Sequence, residues 1–116
     1  MYTVRAGAFA PEAAESSATV RARVAQARAA AAERWGPHGC STNAEVTGPL
    51  LRRRFRLGAA VMAPLKAAME HGLLSIRGAD RSLRVAWTVC DLAGRTSPSI
   101  DDVSVALSFR QAGVKP

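Results

Sequence analysis

Bulky side chains and negative charges are both scarce in this sequence. Aromatic residues make up 5% of the 116 positions, so a core must come mainly from Ala, Val and Leu, and helices sharing it must approach closely. No stretch reaches the ~18 consecutive apolar residues that a membrane-spanning helix needs. The start, Met1-Tyr2-Thr3-Val4-Arg5, has no apolar run behind its charge. Neither a membrane contact nor a signal peptide is therefore expected, and a cytoplasmic location is. The two cysteines, Cys40 and Cys90, are far apart and form no C-x-x-C, which fits free thiols in a reducing compartment. His38 and Cys40 make a lone H-x-C beside Pro37 and Gly39, too few ligands for a metal site, and none is expected. There is no G-x-x-x-x-G-K-[ST], no apolar strand ending in paired acids and no Ser/His/Asp set. No catalytic residue is expected within this chain.

Arginine is what the sequence has in excess. Sixteen basic residues face nine acidic ones, for a formal charge of +7, and fourteen of the sixteen are Arg. The guanidinium forks onto carboxylate and phosphate oxygens better than an ammonium does. The composition points toward a nucleotide, a nucleic acid or an acidic protein surface, against the plainer reading of a solvated arginine-rich exterior.

Along the chain, residues 1–15 carry little helical pattern and read as a disordered linker. Helical period starts at Ser17, with Val20, Val24, Ala27, Ala31 and Trp35 on one face, Ser16 or Ser17 as N-cap and Gly36-Pro37 as the stop. A loop over 38–46 leads to a short helix capped by Thr47, with Pro49 in its first turn. That helix carries Arg52-Arg53-Arg54 between the apolar anchors Leu51 and Phe55. A third helix is expected over Ala59–His71 with Met62, Leu65, Ala68 and Met69 facing inward, and Gly72 ends it. A fourth runs from Ile76 to Leu92 behind Ser75, with Ala79, Leu83, Ala86, Val89, Cys90 and Ala93 as its core stripe. Ser99-Ile100-Asp101-Asp102 is a capping-box start with Asp in place of Glu, and opens a fifth helix carrying Val103, Val105, Ala106, Leu107 and Phe109. The expected fold is all-α, a small bundle of four to five helices over 16–110, with a flexible tail at 111–116.

On the Ile76–Leu92 helix, Arg77, Arg81 and Arg84 fall within roughly 60° of one another at about 100° per residue. Thr88 and Asp91 extend that line. Like charges three and four apart cost a few tenths of a kcal/mol, and Arg77 sits in the first turn, where the helix dipole disfavours a cation. A bound anion would relieve both penalties. The competing reading pairs Asp80 with Arg84 and leaves the others solvated.

Four ordered blocks carry a resemblance. Glu15-Ser16-Ser17-Ala18-Thr19-Val20-Arg21-Ala22-Arg23-Val24 comes first. Thr42-Asn43-Ala44-Glu45-Val46 with Leu51-Arg52-Arg53 comes next. Then follow Ser75-Ile76-Arg77, Arg81-Ser82-Leu83-Arg84-Val85-Ala86 and Asp91-Leu92-Ala93-Gly94, and last Asp101-Asp102-Val103 with Ala106-Leu107 and Arg110. Together they resemble the C-terminal domain of magnesium-chelatase-like AAA+ proteins of the ComM type. The resemblance implies a helical lid that closes over ATP and Mg²⁺ held by a separate upstream core. It implies a homo-oligomeric ring and a parent that is an ATPase, either a chelatase subunit or, more closely, a DNA branch-migration motor. In such lids an early-helix arginine, sensor 2, contacts nucleotide phosphates. Arg77 matches that position, with Arg84 second and Arg81 beside them. Trp87, where many relatives have another Arg, is expected to contact the core or a neighbouring subunit. The lid alone should be monomeric and bind no cofactor tightly. The alternative is an independent basic helical module that binds DNA through Arg52-Arg53-Arg54-Phe55-Arg56.

Overall fold

Caps and stops in the sequence set the element boundaries. The structure, a computed structural model, describes residues 15–111. The linker and tail expected at 1–15 and 111–116 lie almost wholly outside that range. Helix α1 spans Ser17–Trp35, and the Ser16 hydroxyl accepts the Thr19 backbone N–H at 3.0 Å. Pro37 cannot donate a backbone bond, so the helix tightens into a 3₁₀ turn over Gly36–His38, and Gly39 at φ 84° redirects the chain. A second 3₁₀ turn, Asn43–Glu45, occupies the expected loop. There the Glu45 carboxylate accepts from Ser41 N, Ser41 Oγ and Thr42 N at 2.7, 3.1 and 3.3 Å. Helix α2 (Gly48–Arg52) follows the Thr47 cap, and α3 spans Ala59–Glu70 with Pro64 inside it. Helix α4 (Ile76–Leu92) starts where Ser75 Oγ accepts from Gly78 N at 3.0 Å. Helix α5 spans Ile100–Gln111. The predicted Asp variant of the capping box is present at its start: Asp102 N donates to Ser99 Oγ at 3.2 Å, and Ser99 N to Asp102 Oδ2 at 2.9 Å.

The described residues are all-helical, with five α-helices and no strand among them. Helix α4 is central. Helices α1, α2, α3 and α5 all pack on it, and α3 and α5 also pack on each other. Its inner face buries Ala79, Leu83, Ala86, Trp87 and Cys90. Against it lie Ala31 and Trp35 of α1, Leu65 of α3, and Val103 and Ala106 of α5. No described helix is long and apolar enough to cross a membrane.

The expected faces hold in part. Ala27, Ala31 and Trp35 are buried and Val24 is half-buried, but Val20 is exposed. Val105 and Phe109 are exposed as well. They lie about 200–240° round the helix from the fully buried Val103, at about 100° per residue. On α4, Ala93 is exposed and Val89 half-buried. The core is less uniformly small than composition suggests. Trp35 meets Phe55 and Trp87 edge-on, with ring centroids 4.5 and 5.5 Å away, and His38 closes on Phe55 at 5.3 Å. Three aromatics, Trp35, Phe55 and Trp87, are gathered in one place.

Candidate anion-binding face on the central helix

The exposed edge of α4 brings the three sequence-identified arginines together. Arg77 and Arg81 are exposed and Arg84 is half-buried. With Ile76 and Asp80 they line an open recess of about 480 Å³ at the helix start. A neighbouring recess of about 420 Å³ continues past Arg81 and Arg84 to Asn43, Val85 and Thr88. Arg84 is held in place, since its Nε donates to the Val46 carbonyl at 2.7 Å. The first turn of α4 adds backbone N–H groups that have no intrahelical acceptor, and the helix dipole adds its positive end.

Neither carboxylate of α4 neutralises this face. Asp80 does not pair with Arg84, as the competing sequence reading had it. It is buried and accepts from Arg52 of α2, with Nε at 3.1 Å and Nη2 at 3.4 Å. Glycine at position 48 makes that approach possible, because an added Cβ would lie 2.2 Å from Asp80 Oδ2 and 2.6 Å from Arg52 Nη2. Asp91 does not extend the arginine line into solvent either. It is buried between α1 and α4, where Arg34 grips it in a fork through both Nη groups, one of them at 3.1 Å. Asn43 Nδ2 donates to the same carboxylate at 3.1 Å and to Thr88 Oγ1 at 3.0 Å. Asn43 Oδ1 in turn accepts from Trp35 Nε1 at 2.7 Å. Among the described residues, Arg77, Arg81 and Arg84 thus form no ion pair.

Trp87, expected at a contact with another domain or subunit, is instead 4% exposed. Its ring lies under the Arg34 guanidinium, 4.1 Å from the centroid, and beside Trp35. Its position one residue before Thr88 turns it toward α1, where aromatic area and a stacked cation are both accommodated. Arg34, Asn43 and the Arg52–Asp80 pair were not singled out as site residues by sequence. Arg34 and Asp91 are 57 residues apart, and nothing in one sequence signals such a pairing.

The basic run on α2 and after it splits in the same way. Arg52 is committed to Asp80, whereas Arg53, Arg54 and Arg56 are exposed and form no ion pair among the described residues. Phe55 packs into the aromatic cluster. His38 and Cys40 do not converge on a common point: the His38 ring meets Phe55, and Cys40 Sγ lies 3.6 Å from the Glu45 carbonyl. Among the described residues no group of three or more His, Cys, Asp or Glu side chains is placed to hold a metal ion.

Comparison with known proteins places this architecture. A family model described as "Magnesium chelatase, subunit ChlI C-terminal" matches residues 14–110. Uncharacterized proteins of Mycobacterium tuberculosis and Mycobacterium bovis are each 64% identical to this chain over 115 residues. The alignment covers 99% of this chain and 23% of each relative, so the chain spans about a quarter of the length of the curated relatives it matches. No solved structure matches it. The bundle, with its central arginine-edged helix, belongs to the magnesium chelatase ChlI C-terminal domain family.

Proposed function

We propose that this domain is the nucleotide-sensing lid of a magnesium-chelatase-like AAA+ ATPase of the ComM type. One observation carries the reading: three guanidiniums share a recess at the start of α4, while both carboxylates of that helix are claimed by arginines from other elements. Three cations that form no ion pair among the described residues, beside a positive helix end, make a phosphate-binding arrangement. Arg77, at the helix start, takes the sensor 2 role. Arg84, braced by Val46, and Arg81 border the same oxygens.

In this reading the phosphate cradle and the Mg²⁺ ligands lie on an upstream core, and ATP sits between core and lid. A guanidinium positioned on the phosphates stabilises the charge of the transferring phosphoryl group. The domain's part, in this reading, is to sense the phosphates, with the reacting groups on the core. Ring assembly by identical subunits, and a branched DNA substrate for the motor, complete the proposal. The three exposed arginines at 53, 54 and 56 support an anionic polymer contact on a second face, as the alternative DNA-binding reading requires.

The test joins this domain to its core and measures steady-state ATP hydrolysis. Replacing Arg77, Arg81 and Arg84 together with Ala should reduce turnover at least a hundredfold while the assembly stays folded. Replacing Arg53, Arg54 and Arg56 with Ala should leave basal turnover within about threefold and weaken DNA binding instead. Full turnover with the first triplet removed would reject the lid assignment.

A further inference from the structure

Asp80 is in an unusual position for a carboxylate on this helix. It borders the arginine recess, and it sits three residues after Arg77 and four before Arg84. Acid preceding base by four residues is the favoured order for a helical ion pair. By local rules Asp80 should therefore bridge to Arg84 and lower the charge of the recess by one. Two features of the segment running from the 3₁₀ turn into α2 prevent this. The Val46 carbonyl takes Arg84 Nε at 2.7 Å, and Arg52 takes both Asp80 oxygens, at 3.1 and 3.4 Å. Gly48, lying between these two contacts in sequence, has no side chain to keep the carboxylate out.

We propose that Arg52 is a positioning residue for the anion recess: by gripping Asp80 it keeps that carboxylate off Arg77 and Arg84 and leaves their guanidiniums free for phosphate. This rests on the reading of the recess as a phosphate site. Arg52 touches no phosphate itself. Its side chain is 46% exposed and spans from α2 to α4, so removing it leaves Asp80 with its ion-pair partner gone and two helical neighbours of opposite charge within reach. The carboxylate then competes with phosphate for the same N–H groups. Loss of Arg52 thus weakens anion binding by adding a competitor, beyond the loss of one distant positive charge.

Inorganic tripolyphosphate is the probe, titrated into the 116-residue chain while the arginine Nε–Hε and Asp carboxyl resonances are followed by NMR. In the wild type, tripolyphosphate should shift the Arg77, Arg81 and Arg84 signals. Arg52→Ala should weaken that binding by about tenfold. Arg52→Ala with Asp80→Asn should recover it to within about threefold, and Arg52→Lys should recover part of it. Arg28→Ala removes an exposed positive charge without touching Asp80 and should leave the affinity within about twofold. A thermal melt of each variant confirms that it is folded, and Arg52→Gln replaces any Ala variant that is not.

Before any probe is added, Arg52→Ala should also move the Asp80 carboxyl and Arg84 Nε–Hε signals toward an ion pair between them. If those two signals stay at their wild-type positions, or the double variant binds as weakly as the single one, Arg52 does not position this site. If wild-type tripolyphosphate leaves the three arginines unmoved, the phosphate reading fails, and the ligand-free signals still decide whether Asp80 swings.

Discussion

Asp91→Ala should be among the most damaging single substitutions in the domain. The Asp91 side chain is 1% exposed and that of its partner Arg34 is 12% exposed, so both charges are largely out of water. The carboxylate accepts the forked pair from Arg34 and a third bond from Asn43. Without it, the Arg34 guanidinium stays trapped against the Trp87 ring, with Asn43 Oδ1 at 3.3 Å as its remaining acceptor. Breaking a buried pair in this way costs about 3–5 kcal/mol, because the surviving charge is buried and uncompensated. For a domain of this size that corresponds to a drop in Tm of about 12–40 °C, at about 4–8 °C per kcal/mol. Asp91→Asn keeps the shape and one acceptor oxygen and should cost less, about 1–3 kcal/mol. Replacing both partners, Arg34→Met with Asp91→Leu, should cost clearly less than the two single losses added together, because no orphaned charge remains. Urea unfolding followed by far-UV circular dichroism gives these values. A loss below 1 kcal/mol for Asp91→Ala would mean that the pair is hydrated and the interface between α1 and α4 is held by the aromatics alone.

Gly48→Ala should destabilise the domain by about 1–3 kcal/mol, since the new methyl must displace the Asp80 carboxylate; chemical denaturation measures this, and a neutral result would show that the contact relaxes freely. Burial holds the Cys90 thiol above the usual cysteine range, and its Sγ–H donates to the Arg95 carbonyl at 3.3 Å, so iodoacetamide should label half-exposed Cys40 well before Cys90 in the folded chain. The raised value also fixes a sign: the neutral Cys90 thiol contributes stability below the unfolded thiol value of about 8.5, and that contribution is lost as pH rises through the folded value, so melts on the Cys40→Ser background should fall more steeply above pH 9 than those of Cys40→Ser with Cys90→Ala. The 116-residue chain by itself should bind ATP no tighter than millimolar and should not hydrolyse it, because arginine contacts supply only part of what a phosphate cradle supplies; calorimetry and phosphate release check both.

The parts of this structure that were readable in advance are those governed by neighbours in sequence. Thr47, Ser75 and Ser99 cap the helices they were expected to cap, and of the two candidates Ser16 and Ser17 it is Ser16 that caps α1, because an N-cap acts on amides two or three residues on. Helix α1 begins and ends at the residues that Ser16 and Gly36-Pro37 imply. The convergence of Arg77, Arg81 and Arg84 was readable for the same reason, since one helix fixes their angles.

What escaped were the partners brought from elsewhere. Asp80 was weighed against Arg84, its favoured helical neighbour, whereas tertiary packing delivers Arg52 from 28 residues away. Asp91 looked like a surface position from its helical angle, and Trp87 from the family resemblance. Helix α1 lies across that end of α4 and brings Arg34 and Trp35 onto both. Angular position on a helix says which residues share a face, but the width of the buried face depends on how many other helices pack there, and α4 has four.

The central claim is that the α4 arginines act on nucleotide and not on the fold. It is tested most directly by measuring melting temperature and ATP turnover side by side for Arg77→Ala and Leu83→Ala in a protein that joins this domain to the proposed ATPase core. Arg77 is exposed and Leu83 is 2% exposed. Arg77→Ala removes a first-turn cation from beside Arg81 and should leave Tm unchanged or raise it slightly. Its turnover should fall by the several kcal/mol that a positioned arginine supplies to phosphoryl transfer, a loss of about 10³-fold. Leu83→Ala empties core volume and should cost about 2–5 kcal/mol of stability. Assayed below its melting point, it should retain most of its turnover. If Arg77→Ala instead lowers Tm as far as Leu83→Ala and leaves hydrolysis intact, Arg77 is a structural residue and the lid reading of this face is wrong.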